Sequence, residues 1–235
     1  MGKVLILSIL AGLSCATSGC HSNAAQNPAP RPIPVASTST TTDPPTSNLA
    51  SDPRPVLVCF GDSLTAGLGT GPGESYPDYL QADLDRLHYH YRVDNQGISG
   101  NTTKDGVERL PDILALHPAI VLVEFGGNDG LRGLRIEDTR ANLDTIVSTL
   151  KNSGAKIALA GISLPPDYGP DYIRQFNETY TLLAKKYNVP MLPFLLKDVY
   201  GVPGMMQRDQ IHATARGNQI VAHNVMLLIL PLLKK

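Results

Sequence analysis

The sequence predicts an α/β domain built on a parallel sheet of five strands, and three observations carry that reading. Strand-like and helix-like stretches alternate from Val56 to Leu230. Two of the strands, residues 56–60 and 119–125, are apolar along most of their length, as strands buried on both faces are. Both run into glycines, Gly61 and Gly126, that mark tight strand-to-helix turns. Alternation of this kind lays helices over both faces of a parallel sheet.

The elements follow in order. Residues 56–60 form the first strand, ended by Gly61, and a Gly-rich loop leads to a helix over 76–87. There Tyr79, Leu80, Leu84 and Leu87 recur at helical spacing, and Pro77 sits where a first turn tolerates it. Residues 89–95 alternate and are rich in strand formers. Thr102 or Thr103 caps the next helix, which runs toward His117 with a kink or break at Pro111. The clearest strand, 119–125, is followed by a helix over 137–152 that stops at Gly154. A strand over 156–161, a helix over 172–187, a strand over 189–192 and a last helix over 214–230 complete the series. His223 and Asn224 interrupt that apolar last helix, which reads as docked on the domain rather than spanning a membrane.

The chain organises into three parts. Residues 1–20 read as an export signal, with Lys3, an apolar stretch over 4–13 and then small residues. Gly19 and Cys20 resemble a lipoprotein signal, in which the cysteine is acylated, so Cys20 is the expected lipidation site and anchoring to a membrane the expected consequence. Ordinary secretion is the competing reading, because Thr17 stands where such signals usually carry leucine. Residues 21–54 set seven prolines among Ala, Ser, Thr and Asn and have too little apolar surface to offset their ordering entropy, so a disordered tether is expected. Residues 55–235 make one domain. The localisation this implies is the periplasm or cell envelope.

Composition excludes several functions. The net charge is −1 and basic residues are scattered, which leaves nucleic-acid binding without an electrostatic footprint. Of three cysteines only Cys59 lies in the domain, inside an apolar run, and it reads as a core residue. No Cys-x-x-Cys spacing supports a metal site, and neither metal nor cofactor is expected. The glycines between Gly61 and Gly73 lack a following Gly-Lys-Ser/Thr, which argues against a nucleotide loop.

Four short segments carry the chemistry. Gly61-Asp62-Ser63-Leu64, Gly97-Ile98-Ser99-Gly100, Gly126-Gly127-Asn128-Asp129 and Asp209-Gln210-Ile211-His212 together supply what acyl transfer through a serine needs. Ser63 is the candidate nucleophile, His212 its base, and Asp209 the carboxylate that orients the base from three residues away. Ser63 and Gly100 offer backbone N–H groups, and Asn128 a side-chain amide, to a developing oxyanion. Each segment also has a bland explanation: a helix cap at Ser63, a solvated loop at His212, turn chemistry at Asn128. Ser63, Gly100 and Asn128, however, all lie just after expected strand ends, and ligands of open parallel sheets bind outside the carboxyl ends of the strands. The Gly-x-Ser-x-Gly elbow of other hydrolases is absent.

At these residues the chain resembles the SGNH, or GDSL-type, hydrolases, with Ser63, Gly100, Asn128 and His212 in order and Asp209 completing a triad. It is most similar to the bacterial arylesterase and acyl-CoA thioesterase I branch, also described as lysophospholipase and protease I. The likeness extends over residues 122–133, 109–111, 164–169 and 190–194. The resemblance implies a flavodoxin-like three-layer α/β/α fold and an acyl-enzyme on Ser63. It implies that Asp129, Gly130, Leu131, Leu164 and Pro165 border the acyl-chain groove. Ala213 stands where that branch usually has proline, and Gln210 where it has glycine. The expectation is a monomeric exported esterase or thioesterase acting on short to medium acyl esters, aryl esters or lysophospholipids. A carbohydrate O-deacetylase on the same fold and a non-catalytic surface module are the alternatives; the chain has no tryptophan to serve as a sugar platform.

Overall fold

The apolar run that follows Pro55 becomes strand β1 (Val56–Gly61), the centre from which the sheet grows in both directions. The computed structural model describes residues 52–235. The expected export signal, Cys20 and nearly all of the expected tether lie outside the described residues. The sheet has five parallel strands in the order β2-β1-β3-β4-β5, with β2 at Arg92–Gly97, β3 at Ile120–Glu124, β4 at Lys156–Ala160 and β5 at Met191–Leu192. Register is continuous through the centre, with Gly61 beside Gly97 on one side and beside Glu124 on the other.

Helices cover both faces. On one side α2 (Tyr76–Arg86) packs against α8 (Ala215–Ile229). On the other, α6 (Ile136–Asn152) packs against α3 (Thr103–Glu108), α4 (Leu110–Ala115) and α7 (Pro170–Tyr187). The sheet between them is dry: Leu57, Val58, Cys59, Phe60, Val121, Leu122 and Val123 are fully buried. Each such aliphatic or aromatic side chain contributes roughly 1.5–3 kcal/mol by leaving water. Cys59 is a core residue with no disulfide partner among the described residues.

Local signals set most boundaries. Ser75 and Thr102 each close a capping box, with Asp78 and Asp105, at the starts of α2 and α3. The break expected at Pro111 falls at Arg109, where α3 ends and α4 begins with proline in its first turn. Two boundaries move. Tyr89 and Tyr91 form a turn, with the Tyr89 N–H bonded back to Leu84 O, so β2 starts three residues later than its alternation suggests. The last strand shrinks to two residues because only Met191 and Leu192 find partners, at Leu159 and Ala160. Among the described residues, no helix is long and apolar enough to cross a membrane.

This strand order reverses direction between β1 and β3, and such switch points open a crevice at the carboxyl ends of the strands. Ser63 follows β1 and Asn128 follows β3, so both face that crevice.

Candidate active site

The serine turn is shaped by its neighbours. Asp62 caps the short helix α1 (Ser63–Ala66) by accepting the Leu64 N–H on Oδ1 at 3.0 Å, which makes Ser63 the first helical residue. Gly61 must lack a side chain, because a methyl group there would overlap Thr65 Oγ1 and the Glu124 carboxyl group. Glu124, the last residue of β3, has no solvent exposure. Its Oε2 accepts the Asp62 N–H at 3.2 Å and the Thr65 hydroxyl at 2.7 Å, and Tyr76 donates to Thr65 Oγ1 at 2.9 Å. Glu124 Oε1 has no partner among the described residues. Burial, reinforced by the charge of Asp62, pushes the Glu124 carboxyl well above the usual carboxylate range. Burial likewise raises Asp62 to about 6, against the bonds from the Leu64 N–H and Asn128 and the pull of His212.

The imidazole arrives from the opposite end of the domain. His212 Nε2 lies 2.8 Å from Ser63 Oγ, and His212 Nδ1 lies 2.7 Å from Asp209 Oδ2. The Asp209 to His212 segment is a turn rather than a helix: Asp209 Oδ1 accepts the N–H groups of Ile211 at 2.9 Å and His212 at 3.1 Å. One carboxylate thus closes the turn and holds the ring. Burial pushes Asp209 up, but the bonds from the His212 ring and from the Ile211 and His212 N–H groups outweigh it and hold the carboxyl at about 2. The loop is tied down further, because Gln207 N–H donates to His212 O at 2.8 Å and Gln207 Nε2 reaches Leu68 O at 2.7 Å. That second bond joins the histidine loop to the chain just past α1. Serine, imidazole and carboxylate in series can move a proton from Ser63 Oγ to Nε2 while Asp209 stabilises the imidazolium.

The oxyanion donors are placed unevenly. The Ser63 N–H has no acceptor among the described residues. Asn128 Nδ2 donates to Asp62 Oδ2 at 3.1 Å and to Asn101 O at 2.9 Å, so both of its hydrogens are engaged. Gly100 stands in the loop after β2 with φ +84°, and its carbonyl accepts Arg132 Nη2 at 2.8 Å. A Cβ at Gly100 would meet only Arg132 Nη2, at 3.8 Å, so the left-handed backbone rather than close quarters demands glycine there. Gly100 does not line the cavity beside Ser63.

That cavity, of about 520 Å³, opens from Ser63, Asn128 and His212 toward the β4 and β5 side. Leu131, Leu164 and Pro165 line it, together with Ile162, Phe194, Leu196, Tyr200 and Ile211. Asp129 and Gly130 do not. Asp129 is 2% exposed and turned into the protein, where it accepts the Thr103 N–H at 2.9 Å, the Thr103 hydroxyl and the Thr139 hydroxyl. Gly130 is buried behind the Leu164 side chain, which a Cβ would strike. Sequence reasoning also passed over Glu124, although a lone carboxylate inside the apolar run 119–125 was the signal for it. On the far wall after β5, Pro193 and Phe194 fall in the stretch 190–194 that resembles the family, whereas Tyr200 carried no signal.

A three-layer parallel-sheet domain with hydroxyl, imidazole and carboxylate aligned at its switch point defines a class, the hydrolases of acyl ester bonds. Residues 59–220 match the GDSL-like lipase/acylhydrolase family, and the chain belongs to that family. It is 42% identical over 178 residues to the esterase TesA of Pseudomonas aeruginosa, covering 75% of this chain and 89% of that one. It is 40% identical over 167 residues to the thioesterase 1/protease 1/lysophospholipase L1 of Escherichia coli K12, covering 71% and 79%. A crystal structure of TesA superposes with a TM-score of 0.73 at 41% identity, covering 75% of this chain and 99% of that one.

Proposed function

We propose that this protein is an exported serine esterase and thioesterase that hydrolyses short to medium acyl esters, aryl esters and lysophospholipids through an acyl-enzyme on Ser63. The observation that carries the reading is the 2.8 Å approach of His212 Nε2 to Ser63 Oγ at the mouth of an apolar cavity. In the first half-reaction Ser63 Oγ attacks the acyl carbonyl as His212 takes its proton, and the tetrahedral oxyanion is met by the Ser63 N–H and Asn128 Nδ2. Asn128 releases one of its two present acceptors to do so. Protonated His212 then gives its proton to the leaving alcohol or thiol. In the second half, water attacks the Ser63 ester with His212 again as base, and the acid departs.

The apolar wall of Leu131, Ile162, Leu164 and Phe194 favours acyl chains over acetylated sugars as substrates. The names of the relatives, esterase and thioesterase/lysophospholipase, point the same way. Export rests on Lys3, the apolar stretch 4–13 and the Gly19-Cys20 pair, with the Pro-rich segment 21–54 holding the domain off a membrane in which a lipidated Cys20 is anchored.

The deciding experiment treats the purified domain with a fluorophosphonate and maps the adduct, beside nitrophenyl ester assays of the parent and Ser63→Ala. The expected result is labelling at Ser63 alone and a loss of turnover of about 10⁴-fold in Ser63→Ala. A Ser63→Ala protein as active as the parent would overturn the reading. Labelled fatty acid incorporated by the full chain but not by Cys20→Ser tests the anchor.

A further inference from the structure

The hydrogen bonds that shape the His212 turn are made within one stretch of chain. Asp209 holds the ring and closes the turn, and the Gln207 N–H meets His212 O at 2.8 Å. Met206 and Ala213 pair as an isolated antiparallel bridge at its base. These bonds orient the imidazole relative to its own loop, not relative to the serine. Among the described residues, two hydrogen bonds alone carry residues 207–212 across to the serine side: His212 Nε2 to Ser63 Oγ at 2.8 Å, and Gln207 Nε2 to Leu68 O at 2.7 Å.

The Gln207 amide has a single workable orientation. Its Nε2 donates to two main-chain carbonyls, Leu68 O and, at 2.9 Å, Ala213 O, and a reversed amide would set its oxygen against both. The chain past α1 makes room for it: Gly69 has φ +81°, and a Cβ there would overlap the Gln207 carboxamide. One side chain thus clasps both the far limb of its own hairpin and the loop after the nucleophile.

The two crossing bonds do not last equally through the reaction. Once Ser63 is acylated, its Oγ is an ester oxygen with no hydrogen to donate, and Nε2 has none either, because Nδ1 carries the proton that Asp209 holds. The bond between Ser63 and His212 is then gone. Hydrolysis still needs Nε2 beside the acyl carbon. Nε2 takes a proton from water as the water oxygen bonds to that carbon, and returns it to Oγ as the bond from Ser63 to the acyl group breaks.

We propose that Gln207 is a positioning residue for hydrolysis of the acyl-enzyme, holding the His212 loop to the segment after α1 while Ser63 cannot. In that interval its bond to Leu68 O is the one hydrogen bond left, among the described residues, between the loop and the serine side. This role rests on the reading of Ser63 as the acylated residue and falls on one half of that reaction. Acylation starts with the ring already bonded to Ser63; hydrolysis does not.

Rapid-quench measurements with a medium-chain nitrophenyl ester on the parent, Gln207→Met and Gln207→Glu test it. Release of nitrophenol times acylation, and the mass of the acylated chain times its hydrolysis. Methionine keeps the length and removes both donors. Glutamate keeps the shape but turns a carboxylate toward the two carbonyls, and it decides the matter if Gln207→Met does not fold. In each variant hydrolysis of the acyl form should slow about fivefold while acylation, and with it kcat/KM, stays within about twofold of the parent. Hydrolysis within about twofold of the parent in whichever variants fold would overturn the proposal. So would equal slowing of both steps, which a loop merely loosened would give. An acyl group mapped to Ser63 in these proteins would leave the catalytic reading standing in either case. Full activity of Ser63→Ala would instead mean that this reading had failed.

Discussion

The backbone N–H of Asp62 donates to Glu124 Oε2 at 3.2 Å, so the residue before the candidate nucleophile hangs from a carboxyl group that no solvent reaches. The same oxygen takes the Thr65 hydroxyl, and the two bonds pin α1 on either side of Ser63. Among the described residues no cation pairs with Glu124 and its second oxygen has no partner, so nothing there offsets the burial that pushes its carboxyl well above the usual carboxylate range.

A buried acid whose pKa is raised makes stability depend on pH in a fixed direction. Its folded pKa is raised, so the stability it contributes is fully present below the ordinary glutamate value and is lost as pH rises toward the folded one. Glutamine in its place keeps an acceptor for the Asp62 N–H and the Thr65 hydroxyl but cannot ionise. Its amide sets two N–H groups where Glu124 Oε1 finds no partner, a cost that does not vary with pH, so the stability difference between Glu124→Gln and the parent in urea should be constant up to about pH 4. Above that the variant should gain, by up to about 1.4 kcal/mol per pH unit. Asp62, raised to about 6, contributes the same sign between its ordinary value and pH 6 in both proteins. A difference between the two proteins that is the same at pH 8 as at pH 4 would show that burial does not raise Glu124.

Asp209 titrates in the opposite sense. Its carboxyl is held at about 2, so its contribution is present above the ordinary aspartate value and is lost only as pH falls through 2. The charge that orients His212 is thus in place across any ordinary assay, and the acid limb of a pH–rate profile should not report it. Asp209→Asn should lower kcat by about 10⁴-fold in a protein that still folds, read with a nitrophenyl ester. A loss of less than tenfold would remove Asp209 from the proton relay.

Asn128→Ala separates two roles for one amide. If Nδ2 leaves Asp62 or Asn101 to meet the oxyanion, kcat should drop by about 10²-fold, about 3 kcal/mol of barrier, with KM little changed. If it serves only those two bonds, the melting temperature should fall while kcat well below the melt stays at the parent value.

The scaffold was legible wherever apolar pattern and turn chemistry agreed. Residues 56–60 and 119–125 read as buried strands, and Thr102 sits where a cap was expected. The meeting of Ser63 and His212, 149 residues apart in the chain, could be expected from motif order together with the rule that such sheets bind ligands at their carboxyl ends. What the sequence hid was orientation. Asp129 and Asn128 are adjacent, yet one turns into the protein and the other toward the cavity, and only the helical path of α5 (Gly127–Leu131) decides which. The strand at 191–192 was short for a similar reason, since pairing partners rather than propensity set its length.

Asp129 tests that orientation. Replacing it with alanine strips the Thr103 N–H and hydroxyl and the Thr139 hydroxyl of their acceptor inside the protein. The expected cost is about 3 kcal/mol of folding stability, seen as a lower urea midpoint. KM for short esters should stay within about twofold, because the carboxylate does not line the cavity. A selective rise in KM with unchanged stability would return Asp129 to the substrate.

Gln210 occupies a left-handed backbone conformation, φ +56°, one residue after Asp209 and two before His212. A side chain there crowds its own carbonyl and costs about 1 kcal/mol, which glycine avoids. The Gln210 side chain itself gives only an exposed bond to Gln207 O at 3.0 Å, and the bonds that fix His212 run through Asp209. Gln210→Ala keeps the left-handed strain and Gln210→Gly removes it. The glycine variant should therefore unfold at higher urea than the alanine variant, by about 1 kcal/mol, while both retain kcat within about twofold. If glycine instead lowered kcat by tenfold with no loss of stability, the side chain at 210 would be what holds the imidazole in line with Ser63.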